Sequence, residues 1–312
     1  MDGVLVVDKP AGPTSHDIVD RARRALNTRS VGHTGTLDPF ATGVLVLCVG
    51  RATRLARFLA AGEKAYQATV RLGFATTTDD VTGAPLAEER PVELADATLL
   101  EALAGLVGSF DQVPPAFSAR QVGGRRLYEL ARRGESVARA ATPVTIHALD
   151  LVSRGAETIE LELRCSAGTY VRALARDLGE RLGTGAHLVA LRRTRSGVFD
   201  LGQAVPGEGL DGAAERLIPL AGLLLDLPSV TVGEDGRRRL GHGRELGPEH
   251  ALSGFPKAPV ERVRLLDEHG ELLALAVPRG FDGGGSALPR RPALHPDVVL
   301  TGSQIGPSSP GR

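Results

Sequence analysis

The chain has 312 residues, of which 42% are hydrophobic and 24% are charged, and its 37 Lys and Arg balance its 37 Asp and Glu. This composition is ordinary for a folded globular protein, and the length suggests about two domains. The balanced charge excludes a global positive field of the kind that would by itself indicate a nucleic-acid partner.

The first half of the chain predicts alternating strands and helices. Short apolar or alternating runs predict strands at residues 4–7, 44–49 and 66–72. The sequence Thr14-Ser15-His16-Asp17 predicts a helix start, and a second helical pattern covers residues 52–61. The polar residues 76–90 predict a loop.

The second half begins with a predicted helix over residues 94–106 and a basic helix around 127–133, after the extended Pro114-Pro115 pair. Residues 158–165 alternate strictly between apolar and charged side chains, which predicts a half-buried strand. A helix over residues 170–182 follows, with Gly183 as its end.

The C-terminal part predicts a separate small module. A boundary is expected near Leu227-Pro228, and short strands are predicted at residues 230–232, 263–266 and 272–277. These strands predict a small all-β module over residues 228–280. From Phe281 the chain is rich in Gly, Pro and Ser, so residues 281–312 are expected to be largely disordered.

Cysteine and arginine usage bear on the kind of site. Cys48 and Cys165 show no spacing that would hold zinc, so no metal is expected. No secretory signal and no apolar run of membrane-spanning length occur, and a cytoplasmic location is therefore expected. Arginines gather in five clusters, which is typical either of solvated helix faces or of local patches that contact RNA.

The most informative segment is residues 32–45, which places three glycines, a proline and a carboxylate before a buried strand. Pro39 disfavours the helical region for Asp38 and favours an extended backbone. Asp38 is then either a turn former or a catalytic group on a stiff loop. The loop lacks the correctly placed Asp of an aspartyl-phosphate enzyme and the Gly-Lys-Ser/Thr of a Walker phosphate loop.

An ordered series of motifs resembles the bacterial tRNA pseudouridine-55 synthases, the TruB family, across residues 3–199. The motifs are Asp8-Lys9-Pro10-x-Gly12-x-Thr14-Ser15, the Gly32–Leu45 segment, Gly50-Arg51-Ala52-Thr53-Arg54, Lys64-x-Tyr66, Leu72-Gly73, Leu127-Tyr128-Glu129, Gly168-Thr169-Tyr170-Val171-Arg172, Asp177-Leu178-Gly179, Gly185-Ala186-His187 and Leu191-Arg192-Arg193.

The resemblance implies an α+β fold. It would consist of a catalytic domain over residues 1–226, with a mixed, largely antiparallel sheet flanked by helices, and a C-terminal PUA-like RNA-binding domain. An insertion at about residues 112–143 would grip the RNA. The implied activity is isomerisation of a T-loop uridine of tRNA to pseudouridine, with base flipping and without metal or cofactor. The implied partner is the tRNA T-arm, and nothing demands more than a monomer.

The same resemblance implies roles for individual residues. Asp38 would be the nucleophile, Arg172 its charge partner, and Tyr66 would stack on the uracil and be a candidate for proton transfer at C5. The substrate would also contact His33, Tyr170 and Leu191. Support of the catalytic loop would come from Lys9, Pro10, Gly32 and Gly35.

The sequence departs from the family at residues 117–121, where Phe117 replaces a tyrosine and Gln121 stands where a lysine is usual. This departure concerns the RNA grip more than the chemistry. Two other hypotheses remain. One is a tRNA-binding or tRNA-folding protein with an idle site, and the other is an Asp-nucleophile hydrolase, which the misplaced Asp and missing metal carboxylates oppose. Whether the nucleophile attacks the sugar carbon or the base ring stays open.

Overall fold

The computed structural model describes residues 1–117, 139–281 and 291–301, together with the backbone of residues 121–122 and 125–126. Within these residues the chain forms one large mixed sheet with helices on one face, and a smaller sheet towards the C-terminus. The predicted basic helix at 127–133 and most of the predicted insertion at 112–143 lie outside the described residues.

Thirteen strands precede the C-terminal module in the part of the chain that is described, and two of them, β6 and β7, form a separate hairpin. The strands are β1 (Gly3–Lys9), β2 (Val31–His33), β3 (Thr42–Val49), β4 (Lys64–Leu72), β5 (Gly108–Gln112), β6 (Gln121–Val122), β7 (Arg125–Arg126), β8 (Thr142–Arg154), β9 (Thr158–Cys165), β10 (Ala186–Ser196), β11 (Phe199–Asp200), β12 (Val205–Pro206) and β13 (Ile218–Pro219).

The large sheet has the spatial order β12-β1-β3-β10-β4-β9-β8-β5, and β2, β11 and β13 pair with β3, β10 and β1 respectively. Among the described strand pairs of this sheet, β1 with β12 and β3 with β10 are parallel, and the others are antiparallel. The expectation of a mixed, largely antiparallel sheet is therefore confirmed.

Four helices accompany this sheet in the described residues, and three of them cover one face: α1 (Ser15–Ala25), α2 (Ala56–Ala60), α3 (Asp96–Ala104) and α4 (Val171–Leu182). Thr14 caps α1 through a capping box with Asp17, and Gly183 ends α4 with a φ of 69°. The predicted helix at 52–61 differs, because Gly50–Leu55 forms a 3₁₀ turn and only then does α2 begin.

Strands β1 and β3 are buried on both faces, which explains their continuous apolar sequences. In β1, Leu5 and Val7 pack into the core beneath α1, whereas Val4 and Val6 pack into a second core on the opposite face. That second core includes Leu300 and other side chains of the C-terminal module. The two parts of the chain thus share one hydrophobic core.

The C-terminal module is a five-stranded mixed sheet with a short helix. Its strands, in the order β15-β14-β16-β17-β18, are β14 (Ser229–Val232), β15 (Ala251–Ser253), β16 (Val263–Leu266), β17 (Leu272–Arg279) and β18 (Ala293–Val299). The expectation of an all-β module is wrong, because Glu234–Gly241 forms helix α5. Leu240 is the large apolar side chain that α5 buries, so its sequence shows no helical periodicity of apolar residues.

The expectation of a disordered tail over residues 281–312 is wrong for Ala293–Val299, which pairs as β18 with β17. Leu294 and Leu300 are fully buried, and this apolar burial explains why the segment orders despite its polar, Pro-rich surroundings. Residues 282–290 and 302–312 lie outside the described residues.

The three arginines of the cluster at residues 51–57 bind this C-terminal segment, so they do not form a solvent-facing patch. Arg51 Nη1 donates to the carbonyl oxygen of Leu300 at 2.9 Å, and Arg54 Nη1 to that of Val299 at 2.6 Å. Arg57 forms an ion pair of 2.6 Å with Asp297. This cluster therefore joins the part of the chain that forms the large sheet to the C-terminal module.

Replacing Leu300 with Ala should lower the free energy of unfolding by about 2–4 kcal/mol, because a fully buried side chain leaves a cavity in the shared core. The exposed Leu252 is the matched control, and its Ala variant should change the free energy by no more than about 0.5 kcal/mol. Denaturant unfolding measures both variants. Equal losses for the two would contradict an ordered C-terminal strand.

Candidate active site

Asp38 lies on the loop between β2 and β3, and a buried lysine holds this loop. Lys9 is fully buried at the end of β1. Its Nζ donates to the carbonyl oxygens of Pro10 and Pro13 at 2.8 Å and of Pro39 at 3.2 Å. Burial lowers the pKa of Lys9 to about 8, while the nearby Asp38 favours the charged form. The Lys9 ammonium thus supplies a hydrogen-bond donor to the carbonyl oxygens of three prolines, none of which has a backbone N–H of its own.

Ser15 and Arg193 hold the rest of the loop. Ser15 Oγ donates to the carbonyl oxygen of Leu37 at 2.9 Å and accepts from the Leu37 amide at 2.8 Å. Arg193, on β10, donates from Nη2 to the carbonyl oxygen of Gly35 at 3.1 Å and from Nε to that of Val44 at 2.7 Å. The loop is therefore fixed from both sides before any substrate binds.

The carboxylate of Asp38 pairs with Arg172, the second residue of α4. Arg172 Nε lies 2.9 Å from Asp38 Oδ2, and Nη2 donates to Oδ1 at 3.1 Å, so the pair is bidentate. The two residues are 134 positions apart in the chain. The structure thus brings together the predicted nucleophile and its predicted partner.

A second carboxylate, Asp80, binds the same guanidinium at 3.3 Å from Nη1. Its Oδ1 accepts hydrogen bonds from the Thr78 and Thr82 hydroxyls and from the Thr82 amide. The side chains of Arg172, Asp80 and Asp38 are 6%, 5% and 31% exposed, so only Asp38 opens to solvent. Sequence reasoning missed Asp80 because it assigned residues 76–90 to a polar loop, where an Asp is ordinarily a surface turn residue.

The pKa of Asp38 is raised, chiefly by burial, and the negative charge of Asp80 raises it further. Arg172 opposes both effects by charge and hydrogen bonding, and Lys9 adds a smaller favourable charge. Asp38 is therefore a carboxylate whose ionised form depends on one specific guanidinium.

A cavity of about 360 Å³ opens above this pair. Its wall includes Asp38, Tyr66, Tyr170, Arg172 and Leu191, all of them predicted site residues. Such a volume lies within the usual range of ligand-binding clefts. The three predicted catalytic side chains thus line one cavity.

Tyr66 and Lys64 lie side by side on β4 at this cavity. Burial raises the pKa of Tyr66, and the neighbouring Arg193 lowers it by a smaller amount, so the phenol keeps its proton at neutral pH. Lys64 Nζ donates to the carbonyl oxygens of Ala60 at 2.9 Å and Gly62 at 2.6 Å, and burial lowers its pKa to about 8.

Of the other predicted residues, Gly35 also lines the cavity, whereas His33 and Gly32 do not. His33 is on β2; burial lowers its pKa, and its Nδ1 is buried with no hydrogen-bond partner among the described residues. Gly32 and Gly35 both leave room for a Cβ, so the structure shows no steric need for glycine there. Gly43 does show one, since its φ is +99° and a Cβ would lie 2.2 Å from the Arg193 oxygen.

The described residues contain no helix that is long and apolar enough to cross a membrane. In the same residues, no three or more His, Cys, Asp or Glu side chains are grouped as metal ligands.

Two protein families match consecutive parts of the sequence. "TruB family pseudouridylate synthase (N terminal domain)" matches residues 23–171, and "tRNA pseudouridylate synthase B C-terminal domain" matches residues 172–220. The junction between the two matches falls inside α4, next to Arg172. Both matches lie within the part of the chain that forms the large sheet, so this junction is not a structural domain boundary.

Two bacterial relatives carry the name tRNA pseudouridine synthase B. The protein of Ralstonia nicotianae is 45% identical over 298 residues, which cover 93% of this chain and 93% of the relative. That of Mycobacterium ulcerans is 48% identical over 256 residues, covering 79% and 83%.

Two solved structures share the fold. One, titled "Crystal Structure of a Cbf5-Nop10-Gar1 Complex", superposes with a TM-score of 0.71 at 24% identity and covers 96% of this chain and 85% of that one. The other, titled "Structure of H/ACA RNP bound to a substrate RNA containing 2'-deoxyuridine", gives a TM-score of 0.69 at 23% identity, with coverage of 96% and 85%.

Proposed function

This chain belongs to the TruB family of pseudouridylate synthases and is a tRNA pseudouridine synthase, an isomerase; we propose that it acts on the T-loop uridine after which pseudouridine-55 synthases are named, with Asp38 as the nucleophile. The observation that carries this proposal is the bidentate pair of Asp38 and Arg172 at the base of a cavity walled by Tyr66.

The reaction requires the target nucleotide to leave its stack, because a base within folded RNA does not expose its ring and sugar to a buried carboxylate. In the proposed pose the flipped uracil stacks on Tyr66, and Leu191 supplies an apolar wall. Tyr170 borders the same cavity. His33 lies just outside it on β2, and the half-buried ring of His33 is a further candidate for contact with the RNA.

The ionised Asp38 attacks the nucleotide, either at the sugar carbon C1′ or at the base ring. The bond between N1 and C1′ breaks, the uracil turns, and a new bond forms between C5 and C1′. The proton of C5 leaves and N1 gains one, so the overall change is an isomerisation and Asp38 is regenerated. Tyr66 is our candidate to relay the C5 proton, since its phenol lines the same cavity as Asp38.

Release of tritium from tRNA labelled at uridine C5 tests this proposal. We expect release that is stoichiometric with one uridine per unmodified tRNA. Intact tRNA binding without release would instead support a tRNA-binding or tRNA-folding protein with an idle site. The monomeric state and the cytoplasmic location expected from the sequence stay predictions.

We also propose that the C-terminal module is PUA-like and contacts the tRNA away from the cavity. Helix α5 presents the exposed side chains of Arg237 and Arg238, and Arg244 follows closely in the chain. Arginine forks of this kind suit phosphate oxygens. We also propose that the departure from the family sequence at residues 117–121 alters the affinity for RNA and not the chemistry. The Gln121 side chain lies outside the described residues.

The negative charge of Asp80 should raise the pH at which Asp38 is protonated and activity falls. Because Asp80 raises the pKa of Asp38, we expect Asp80→Asn to lower that pKa and to move the acid limb of the rate profile to lower pH. Single-turnover tritium release between about pH 4 and pH 8 measures the limb. The adjacent Asp79→Asn is the control, since Asp79 pairs with Arg176 and should leave the limb in place. An acid limb that moves to higher pH in Asp80→Asn would contradict the prediction.

A further inference from the structure

Gln112 is a buried polar residue that the proposed chemistry leaves unused. It ends β5 and is only 1% exposed. Most other buried polar side chains line the cavity, hold the loop of Asp38 or bind Arg172: Lys9, Ser15, Thr34, Lys64, Asp80, Arg172 and Arg193. Gln112 contacts none of the reacting groups, yet it binds the same helix as Arg172.

Both ends of the Gln112 amide bind the backbone of one residue, Tyr170. Oε1 accepts from the Tyr170 amide at 2.9 Å, and Nε2 donates to the Tyr170 carbonyl oxygen at 3.1 Å. A neighbouring strand pairs with a residue in this manner, by exchanging a donor and an acceptor. Here one side chain supplies both.

Tyr170 is the point where extended chain becomes helix. Its φ and ψ are −100° and 109°, no side chain caps α4 there, and its carbonyl oxygen already accepts from the amide of Leu174 at 3.1 Å. Arg172 follows two residues later. A shift of the Tyr170 backbone would therefore carry the guanidinium away from Asp38.

Helix α4 in turn binds the segment that follows Gln112. Arg172 Nη2 donates to the carbonyl oxygen of Phe117 at 2.8 Å, and Arg176 Nη2 to that of Val113 at 3.0 Å. Hydrogen bonds therefore link the two segments from both sides: Gln112 binds the residue before α4, and two arginines of α4 bind carbonyl oxygens in residues 113–117.

We propose that Gln112 is a positioning residue for the isomerisation, and that it holds the backbone of Tyr170 so that Arg172 meets Asp38 in the bidentate pair. The inference rests on the proposed role of Asp38. An apolar side chain of similar size would fill the same space, but it would leave the part-buried amide of Tyr170 without this partner and its carbonyl oxygen with Leu174 alone.

The pKa of Asp38 depends on the charges that surround it, so the pH dependence of the rate reports on the position of Arg172 separately from overall stability. Arg172 faces it from α4, Asp80 from the 76–90 loop, Lys9 from β1 and the neutral Tyr66 from β4. Arg172 is the largest influence that lowers the pKa of Asp38. If Arg172 moves away, this pKa rises, and the acid limb of the rate profile moves to higher pH.

The test compares Gln112→Met and Gln112→Glu with Ser109→Ala. Ser109 lies on the same strand and loses one hydrogen bond, the 2.8 Å contact with Thr145, without touching α4. All measurements use the full chain. Single-turnover tritium release is followed from about pH 5 to pH 9 at saturating labelled tRNA, and the tRNA Kd and the thermal unfolding of each variant are also measured.

We expect Gln112→Met to lower the single-turnover rate about ten- to hundredfold, with a tRNA Kd within about twofold of wild type and an acid limb about half a pH unit higher. Gln112→Glu keeps the acceptor for the Tyr170 amide and should be intermediate in rate, and it decides the question if the Met variant does not fold. Ser109→Ala should match wild type.

A wild-type rate, a loss explained wholly by the tRNA Kd, or a lower rate with an unmoved acid limb would each overturn the inference. Its failure is distinct from failure of the proposed function, which would show as absent tritium release from the wild-type protein itself. Every Gln112 result is taken as a ratio to wild type.

Discussion

Asp38→Asn is expected to release no measurable tritium from C5-labelled tRNA, a loss of about 10⁴-fold or more, while tRNA binding stays within about twofold of wild type. Asn keeps the shape of the side chain but has no anionic oxygen with which to form a covalent intermediate. Arg172 retains Asp80 and the Thr78 and Phe117 oxygens as acceptors, so its position should persist.

The fold should tolerate this change at neutral pH. The pKa of Asp38 is raised in the folded state, so the group favours folding below its ordinary pKa and loses that contribution as the pH rises through the raised value. At neutral pH the wild-type protein therefore holds a charge that burial disfavours. Asp38→Asn should unfold at the same denaturant concentration as wild type or a higher one.

The exposed Asp150 on β8 provides the control for this substitution. Asp150→Asn makes the same chemical change on the sheet outside the cavity, and its rate should equal that of wild type. If Asp38→Asn kept a substantial fraction of the rate, Asp38 would not be the nucleophile. If both activity and folding were lost, circular dichroism and tRNA binding would show it, and Asp38→Glu would then replace Asn.

Arg172→Met is expected to lower the free energy of unfolding by about 3–5 kcal/mol and the single-turnover rate about 10²-fold or more. The substitution leaves the carboxylates of Asp38 and Asp80 without the cation that both share. It also removes the donor that binds the carbonyl oxygen of Phe117. Denaturant unfolding and tritium release measure the two losses.

The stability loss should depend on pH in a defined direction. Without Arg172 the pKa of Asp38 rises further, so the variant takes up a proton in the folded state as the pH falls. The difference from wild type should therefore be largest at neutral pH and narrow towards about pH 5. Adding Asp80→Asn to Arg172→Met should restore part of the lost stability, because Asp80 is the more deeply buried carboxylate.

Arg164 is the matched surface control. It is exposed on β9 and lies 3.6 Å from Glu63, so Arg164→Met should change the free energy of unfolding by no more than about 1 kcal/mol. Similar losses for the Arg172 and Arg164 variants would mean that the buried pair does not contribute as proposed.

The two arginine clusters at residues 51–57 and 192–195 show how local charge patterns mislead. In the sequence both resemble basic patches, but Arg51 and Arg54 bind carbonyl oxygens of the C-terminal segment, and Arg193 binds the loop that carries Asp38. The sequence pattern shows that the charges are close together along the chain. It contains no information on which distant oxygen each one meets.

The sequence by itself determined the features that depend on neighbours along the chain. The apolar run of β3, the alternation of β9, the cap of α1 and the Gly183 end of α4 all follow from local periodicity and backbone preference. The ordered series of motifs across residues 3–199 likewise pointed to the family before any fold was known. These features are local, and the structure confirms the elements that they predicted.

Only the tertiary structure decided which groups share the charge of Arg172 and which segments complete the core. Asp80 lies in a polar loop, Gln112 at the end of an edge strand and Leu300 in a segment that reads as a tail. Each becomes buried through contacts with residues far away in the chain. Burial makes an unpaired charge or amide costly, and this cost is set by the strand order and not by the neighbouring sequence.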